Sequence, residues 1–316
     1  MKIMDDLSDG KAVYPIPVIN TVDDDDVDPS YQYISKNVDK DIREEHFKGC
    51  KCVGKCVRGR CPCIDKSTIE LYHDGRVKNA GNYLHGFFTE RLYECDAATC
   101  KGCAGKCSQR MTPETFNLKV ELFKTKDAGW AVRSKQYIEC GTFVAEFVGE
   151  VLSLKEAGVR QRPEDYSYHV HNRDTRYGHY VDPTRYGNIS RFFNHSCFPN
   201  LIPLQYFSSH RDKTRASIGF IASRHIMPED EMTIDYGHEW WENRIEFYKD
   251  FYCRCKWVYC SFPAPEQEQL SIEEAEAFGI KIVQENHKRM MEYKTKKLKE
   301  EAARKWSKIK KDEPHV

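Results

Sequence analysis

The chain has 316 residues, with 49 Lys+Arg balancing 49 Asp+Glu, so no net basic charge announces a nucleic-acid surface. Its residues are 40 % apolar and 12 % aromatic, enough for a sizeable core, and no run of about 18 apolar residues offers a transmembrane helix. The start, Met1 to Asp6, lacks the apolar stretch of a secretory signal, so the 14 cysteines are expected to serve metal or catalysis rather than disulfides.

The first 43 residues open with a Pro-punctuated apolar run, Val13 to Ile19. Its prolines forbid a helix and suit an extended edge segment. The acidic run Asp23 to Asp26 reads as a solvated loop. Next come Cys50, Cys52, Cys56, Cys61 and Cys63, then Cys95, Cys100, Cys103 and Cys107. Such short spacings put thiolates within reach of shared tetrahedral ions, with Zn–S near ~2.3 Å. Nine thiolates fit separate four-cysteine sites poorly, since two sites strand one. They supply the twelve contacts of three zincs if three of them bridge. Between the groups, residues 64–94 read as a loop with short strands and an Asp74-Gly75 turn.

From residue 113 the character changes. Leu118 to Phe123 alternates like a half-buried strand, and Ala128-Gly129-Trp130 follows, where Gly129 allows close backbone approach to a ligand. Thr142 to Val151 reads as a strand pair, and Leu154 to Ser167 as a helix plus loop. Many short strands with few helices predict an α+β, mostly β domain of small sheets. His169 and His171 read as loop histidines rather than ligands. Arg191-Phe192-Phe193-Asn194-His195-Ser196-Cys197-Phe198-Pro199-Asn200 mixes core formers, polar groups that a buried site must satisfy, and a lone thiol. Ile218 to Ala222 and Met232 to Tyr236 read as strands, followed by Trp240-Trp241 and by Cys253, Cys255 and Cys260, one ligand short of a tetrahedral site. Cys140 reads as a buried apolar residue. Residues 266–313 are helix-forming, highly charged and poor in aromatics.

Three signals in this order, residues 191–200, Ile234-Asp235-Tyr236-Gly237, and Cys253-Arg254-Cys255 with Cys260, resemble the SET-domain protein lysine methyltransferases. The nine-cysteine region is similar to the three-zinc pre-SET cluster of the histone H3 lysine 9 type, with its second group one residue longer in its first two gaps; the bridging pattern stays open. The resemblance runs to about Phe262. It implies a fold of several short curved sheets with a knot-like crossing that brings 191–197 beside 234–237. It also implies an N-terminal extended segment on the SET domain (1–43), a pre-SET cluster (44–112), a SET domain (113–240), a post-SET zinc loop (241–262), and a charged helical or disordered tail (263–316).

The family's functional residues carry over to matching positions here. S-adenosylmethionine would be held by Ala128, Gly129, Trp130, Tyr168, Arg191, Asn194 and His195. Tyr236 and Tyr168 would be catalytic, with Ile234 and Trp240 lining the substrate channel, and Cys197 would complete a fourth zinc with Cys253, Cys255 and Cys260. The implied activity is a nuclear, chromatin-acting histone lysine methyltransferase. Its expected substrate is a histone H3 tail, lysine 9 first. The tail would contact nucleosomal DNA or acidic protein, or else stay a solvated extension, and no membrane is involved. Two departures matter. His169 to Arg173 is neutral to basic where relatives are acidic, which leaves another histone or non-histone lysine open. Ile234 stands where relatives carry an aromatic residue, which predicts di- or trimethyl-lysine. A catalytically weak chromatin scaffold is the alternative; the intact Tyr236, Asn194 and His195 argue against it. The absence of a Cys2His2 pattern argues against a zinc-dependent DNA binder.

Overall fold

The computed structural model describes residues 1–40, 50–53, 55–83, 90–95, 107, 109–113, 115–160, 166–170, 178–208, 216–248, 251–267 and 270–312. They fall into two units, Met1–Gln267 and Glu268–Val316. The second holds the helix Ile272–Asp312, opened by a capping box in which Ser271 N–H donates to Glu274 and Glu274 N–H to the Ser271 hydroxyl. No helix of the described residues is long and apolar enough to cross a membrane.

In the first unit the strand Ser217–Ala222 is buried at every position, so both of its faces are covered and the polar alternation of a half-exposed strand is missing. It pairs antiparallel with Leu201–Phe207 on one side and Phe143–Glu146 on the other. Arg91–Tyr93, from the cysteine-rich half, extends the same sheet parallel to Leu201–Phe207. A second sheet orders Lys2–Met4, Val18–Ile19, Val120–Lys124 and Trp130–Ser134. The Pro-rich N-terminal run therefore contributes an inner strand, while the edge falls to Lys2–Met4. A third sheet joins Glu150–Leu152, His179–Asp182 and Tyr168–Val170. The helix Leu154–Arg160 packs on that sheet, with Ser153 and Glu156 capping its start. The expected mostly β architecture of small sheets holds.

A second expectation needs correcting. The acidic run is exposed, yet it is not merely solvated. Lys124 Nζ lies 3.5 Å from Asp23 and 2.5 Å from Asp25, and it sits over the Trp130 ring. A cation on a neighbouring strand gives the carboxylates a specific partner, which charge patterning along one segment could not reveal. Cys140 is half-buried, and its thiol donates to the Ser223 carbonyl.

The cysteine-rich half meets the sheets at a tight seam. Gly141 accepts from Val77 N–H at 2.8 Å and donates to the Ala222 carbonyl at 2.8 Å. It has φ +86°, and a Cβ there would sit 2.2 Å from the Val77 carbonyl oxygen. Nearby, the buried Glu94 accepts from Met111 N–H, Thr112 N–H and the Thr112 hydroxyl at 2.7–2.8 Å. Gly141→Ala combines a left-handed backbone with a backbone overlap and should cost at least ~2 kcal/mol. Thermal unfolding of zinc-loaded protein should show a midpoint several degrees lower; an unchanged midpoint would mean that the seam is not tight.

Candidate functional site

The site grows from a two-residue strand. Asn194–His195 runs parallel to Thr233–Ile234, with Asn194 opposite Thr233 and His195 opposite Ile234. Ser196 N–H continues the ladder to the Ile234 carbonyl at 2.9 Å. Asn200 locks the second strand, since its Nδ2 donates to the Glu231 carbonyl at 2.7 Å and its Oδ1 accepts from Thr233 N–H at 2.9 Å. So the segment at 191–197 does lie beside 234–237.

His195 is the hinge between two chemistries. Tyr236 N–H donates to its Nδ1 at 3.2 Å, and its Nε2 lies 3.2 Å from Cys197 Sγ. Burial pushes its pKa down, against the opposing pull of Asp235 and Cys255. Asp235 lies 3.5 Å from the same Nδ1, but a nitrogen that accepts from a backbone N–H carries no proton for the carboxylate. The neutral ring with Nε2–H toward the thiol is the consistent tautomer.

A cavity of about 870 Å³ opens over these strands. It brings together Ala128, Tyr168, Arg191, Asn194, His195, Ile234, Tyr236 and Trp240. The expected cofactor residues Gly129 and Trp130 do not line it. Gly129, at φ +68°, closes a turn whose carbonyl accepts from Thr125, and the Trp130 ring faces Lys124. Several lining groups carried no usable signal in the sequence: Phe147, which packs on Tyr168, Arg244, which lies over Trp240, and Glu231. Trp241 follows Trp240 in the helix His238–Phe247, and its buried ring stands edge-on to His195 at 5.0 Å.

The Tyr236 hydroxyl donates to the Phe193 carbonyl at 2.9 Å, and its ring stands edge-on to Trp240 at 4.7 Å. Burial chiefly, with Tyr166 and Glu231 adding, pushes its pKa above the ordinary tyrosine range. Burial does the same to Tyr168. Both hydroxyls therefore stay protonated at neutral pH. Arg191 lies over the rings of Tyr31 and Tyr166, 5.0 and 4.7 Å from their centres. This arrangement ties the N-terminal segment to the cavity wall.

Four thiols close the other side. Cys197, Cys253, Cys255 and Cys260 have sulfurs all within 4.8 Å of one another. A tetrahedron with Zn–S of ~2.3 Å has edges of about 3.8 Å. The separations Cys197–Cys253, Cys197–Cys260 and Cys255–Cys260 are 3.9, 3.7 and 3.9 Å. Four thiolates at that spacing fit a structural zinc. The loop they define lines the cavity with Tyr252, Arg254 and Lys256, and Arg254 Nη1 donates to the Asp127 carbonyl at 3.3 Å across it. Trp257 stacks on Phe198 at 4.3 Å, and the half-buried Arg224 guanidinium lies 4.6 Å from the centre of the same ring.

A second thiol group, Cys50, Cys56, Cys61 and Cys95, has sulfur separations of 3.6–3.9 Å and fits zinc equally. Cys63 and Cys107 are buried in the same cluster, with Cys52 packed against it. Cys100 and Cys103 lie outside the described residues.

Residues 129–237 match the SET domain and residues 8–110 the Pre-SET motif. The chain is 35 % identical to mouse histone-lysine N-methyltransferase EHMT1 over 276 residues, which is 84 % of this chain and 20 % of EHMT1. It is 33 % identical to the Bos taurus histone-lysine N-methyltransferase SETMAR over 224 residues, 65 % of this chain and 69 % of that protein. Among solved structures it resembles KRYPTONITE in complex with mCHH DNA, H3(1-15) peptide and SAH, at TM-score 0.63 and 27 % identity, covering 83 % of this chain and 53 % of that one. The chain belongs to the SET-domain histone-lysine methyltransferases. It spans about a fifth of the length of EHMT1.

Elemental analysis of folded protein should give about four zincs per chain, three in the first cluster and one in the second. Cys260→Ser should remove one of them and weaken cofactor binding, because the loop it holds walls the cavity. One or two zincs in the wild type would contradict the cluster.

Proposed function

We propose that the chain is an S-adenosylmethionine-dependent protein lysine N-methyltransferase acting on the histone H3 tail, with lysine 9 as the target. The observation that carries this reading is the meeting of Tyr236, Tyr168, Asn194 and His195 in one cavity beside a four-thiol zinc loop. KRYPTONITE, one of the solved relatives, was solved in complex with mCHH DNA, an H3(1-15) peptide and SAH. The work would take place on chromatin in the nucleus. The helix Ile272–Asp312 exposes Lys294, Lys296, Lys297 and Lys299, a stretch suited to nucleosomal DNA or acidic protein.

Bound beside Asn194 and His195, S-adenosylmethionine supplies an electrophilic methyl group. The residues must deliver a neutral amine to it in line. A free lysine, with pKa ≈ 10.4, is mostly protonated at neutral pH. The apolar walls of Tyr168, Phe147, Ile234, Tyr236 and Trp240 favour loss of that charge. The Tyr236 hydroxyl, protonated across the working range, orients and supports the reacting groups and takes no proton itself. Ala128, Asn194 and His195 would hold the cofactor, and Arg191, over its two tyrosine rings, would brace that wall.

Tyr236→Phe removes only the hydroxyl. Labelled methyl transfer onto an H3 tail peptide should fall about a hundredfold or more, while cofactor affinity stays within about twofold. The alkaline rise of the pH–rate curve should keep its position, because it belongs to the substrate amine. A midpoint displaced in the variant would make Tyr236 a base. Wild-type protein that transfers no methyl to histone tails would sink the reading in favour of a scaffold.

Ile234 is buried, smaller than an aromatic ring, and offers no hydrogen bond to a water that a second methyl would have to displace. The channel end should therefore admit di- and trimethyl-lysine. Ile234→Tyr should shift the products toward monomethyl-lysine in a mass-spectrometric time course. Wild-type protein stalling at monomethyl-lysine would show that another group closes the channel.

A further inference from the structure

The Asn194 amide has two unlike ends, a donor at Nδ2 and an acceptor at Oδ1. Nδ2 lies 3.1 Å from Glu231 Oε1. An ionised carboxylate only accepts, so the pairing decides which way the amide is turned. Oδ1 makes no hydrogen bond with a described residue and remains accessible, and both residues line the cavity. The backbone that carries Glu231 is itself well anchored. Asn200 Nδ2 donates to the Glu231 carbonyl, Met232 N–H donates to the Val132 carbonyl at 2.8 Å, and Glu231 faces Arg133 in an antiparallel bridge. Burial pushes the Glu231 carboxyl upward, and the Asn194 hydrogen bond pulls it back toward the ionised form.

We infer that Glu231 is a positioning residue that turns the Asn194 carbonyl oxygen toward the cavity, making that point an acceptor for an ammonium group of the ligand. This rests on the function proposed above, under which the ammonium is that of the amino-acid portion of S-adenosylmethionine. Glu231 touches no ligand in this role. It acts through Asn194, and a glutamine in its place could present either a donor or an acceptor to the amide and so release its orientation.

The test is calorimetric titration of zinc-loaded protein with three probes: S-adenosylmethionine, S-adenosylhomocysteine and 5′-methylthioadenosine, which lacks the amino-acid portion. Glu231→Gln should weaken the first two about tenfold, the scale of one charge-assisted hydrogen bond, and leave the third unchanged. Asn194→Ala should weaken the same two, and adding Glu231→Gln to it should cost no more, since the glutamate acts through the amide. In turnover, KM for the cofactor should rise while kcat at saturation falls less. Equal weakening of all three probes would mean a structural role and overturn the inference, as would unchanged affinity or additive losses. Wild-type protein that binds none of the probes would overturn the proposed function, and this inference with it.

Discussion

The parallel pairing of Asn194–His195 with Thr233–Ile234 is two residues long on each side, and the site depends on it. So short a ladder cannot hold its register unaided, because fixing a backbone costs roughly 1–2 kcal/mol per residue. The register is held from outside. Asn200 bonds the backbone on both sides of Met232, while Met232 N–H bonds Val132. Phe193, fully buried against Phe220, anchors the first strand in the core. Because the ladder is fixed, His195 can meet the Tyr236 backbone and the Tyr236 hydroxyl can meet Phe193. A slip of one residue would turn the side chains of one strand to the opposite face and dissolve both contacts.

The same strand also leads into the zinc loop. Cys197 follows His195 by two residues and lies within hydrogen-bond reach of its Nε2. A ligand of the metal and a wall of the cavity thus share one short segment. The loop then returns to the cavity through Tyr252, Arg254 and Lys256, and through the Trp257–Phe198 stack. Trp241, Phe251 and Phe262 pack around the thiols, and a bound metal would add order to that packing. Binding chemistry and metal chemistry are in this way coupled through geometry rather than through a long pathway.

Much of this was legible in the sequence because its signals are local. Cys253-x-Cys255-x4-Cys260 announces a metal loop by spacing, and the missing fourth ligand points to a distant thiol; the structure places Cys197 there. The buried strand Ser217–Ala222 and the strand pair around Gly149 follow from apolar runs and glycine punctuation. What stayed hidden depends on contacts between residues far apart in the chain. Glu231 looks like one more surface acid until Asn194 is brought beside it. Asp23 and Asp25 look solvated until Lys124 arrives from another strand. Ala128 lines the cavity, while its neighbours Gly129 and Trp130 are placed by a turn to Thr125 and by Lys124. The adjacency of 191–197 and 234–237 came only through family resemblance, since periodicity carries no information about which strands cross.

The central claim is that two crossing strands and one zinc loop form a single donor site. Hydrogen–deuterium exchange of the zinc-loaded chain, with and without S-adenosylmethionine, tests it most directly. The account predicts new protection together in three segments, 194–196, 233–237 and 252–256, with the N-terminal strands unchanged. Protection confined to one of them, or appearing elsewhere, would contradict it.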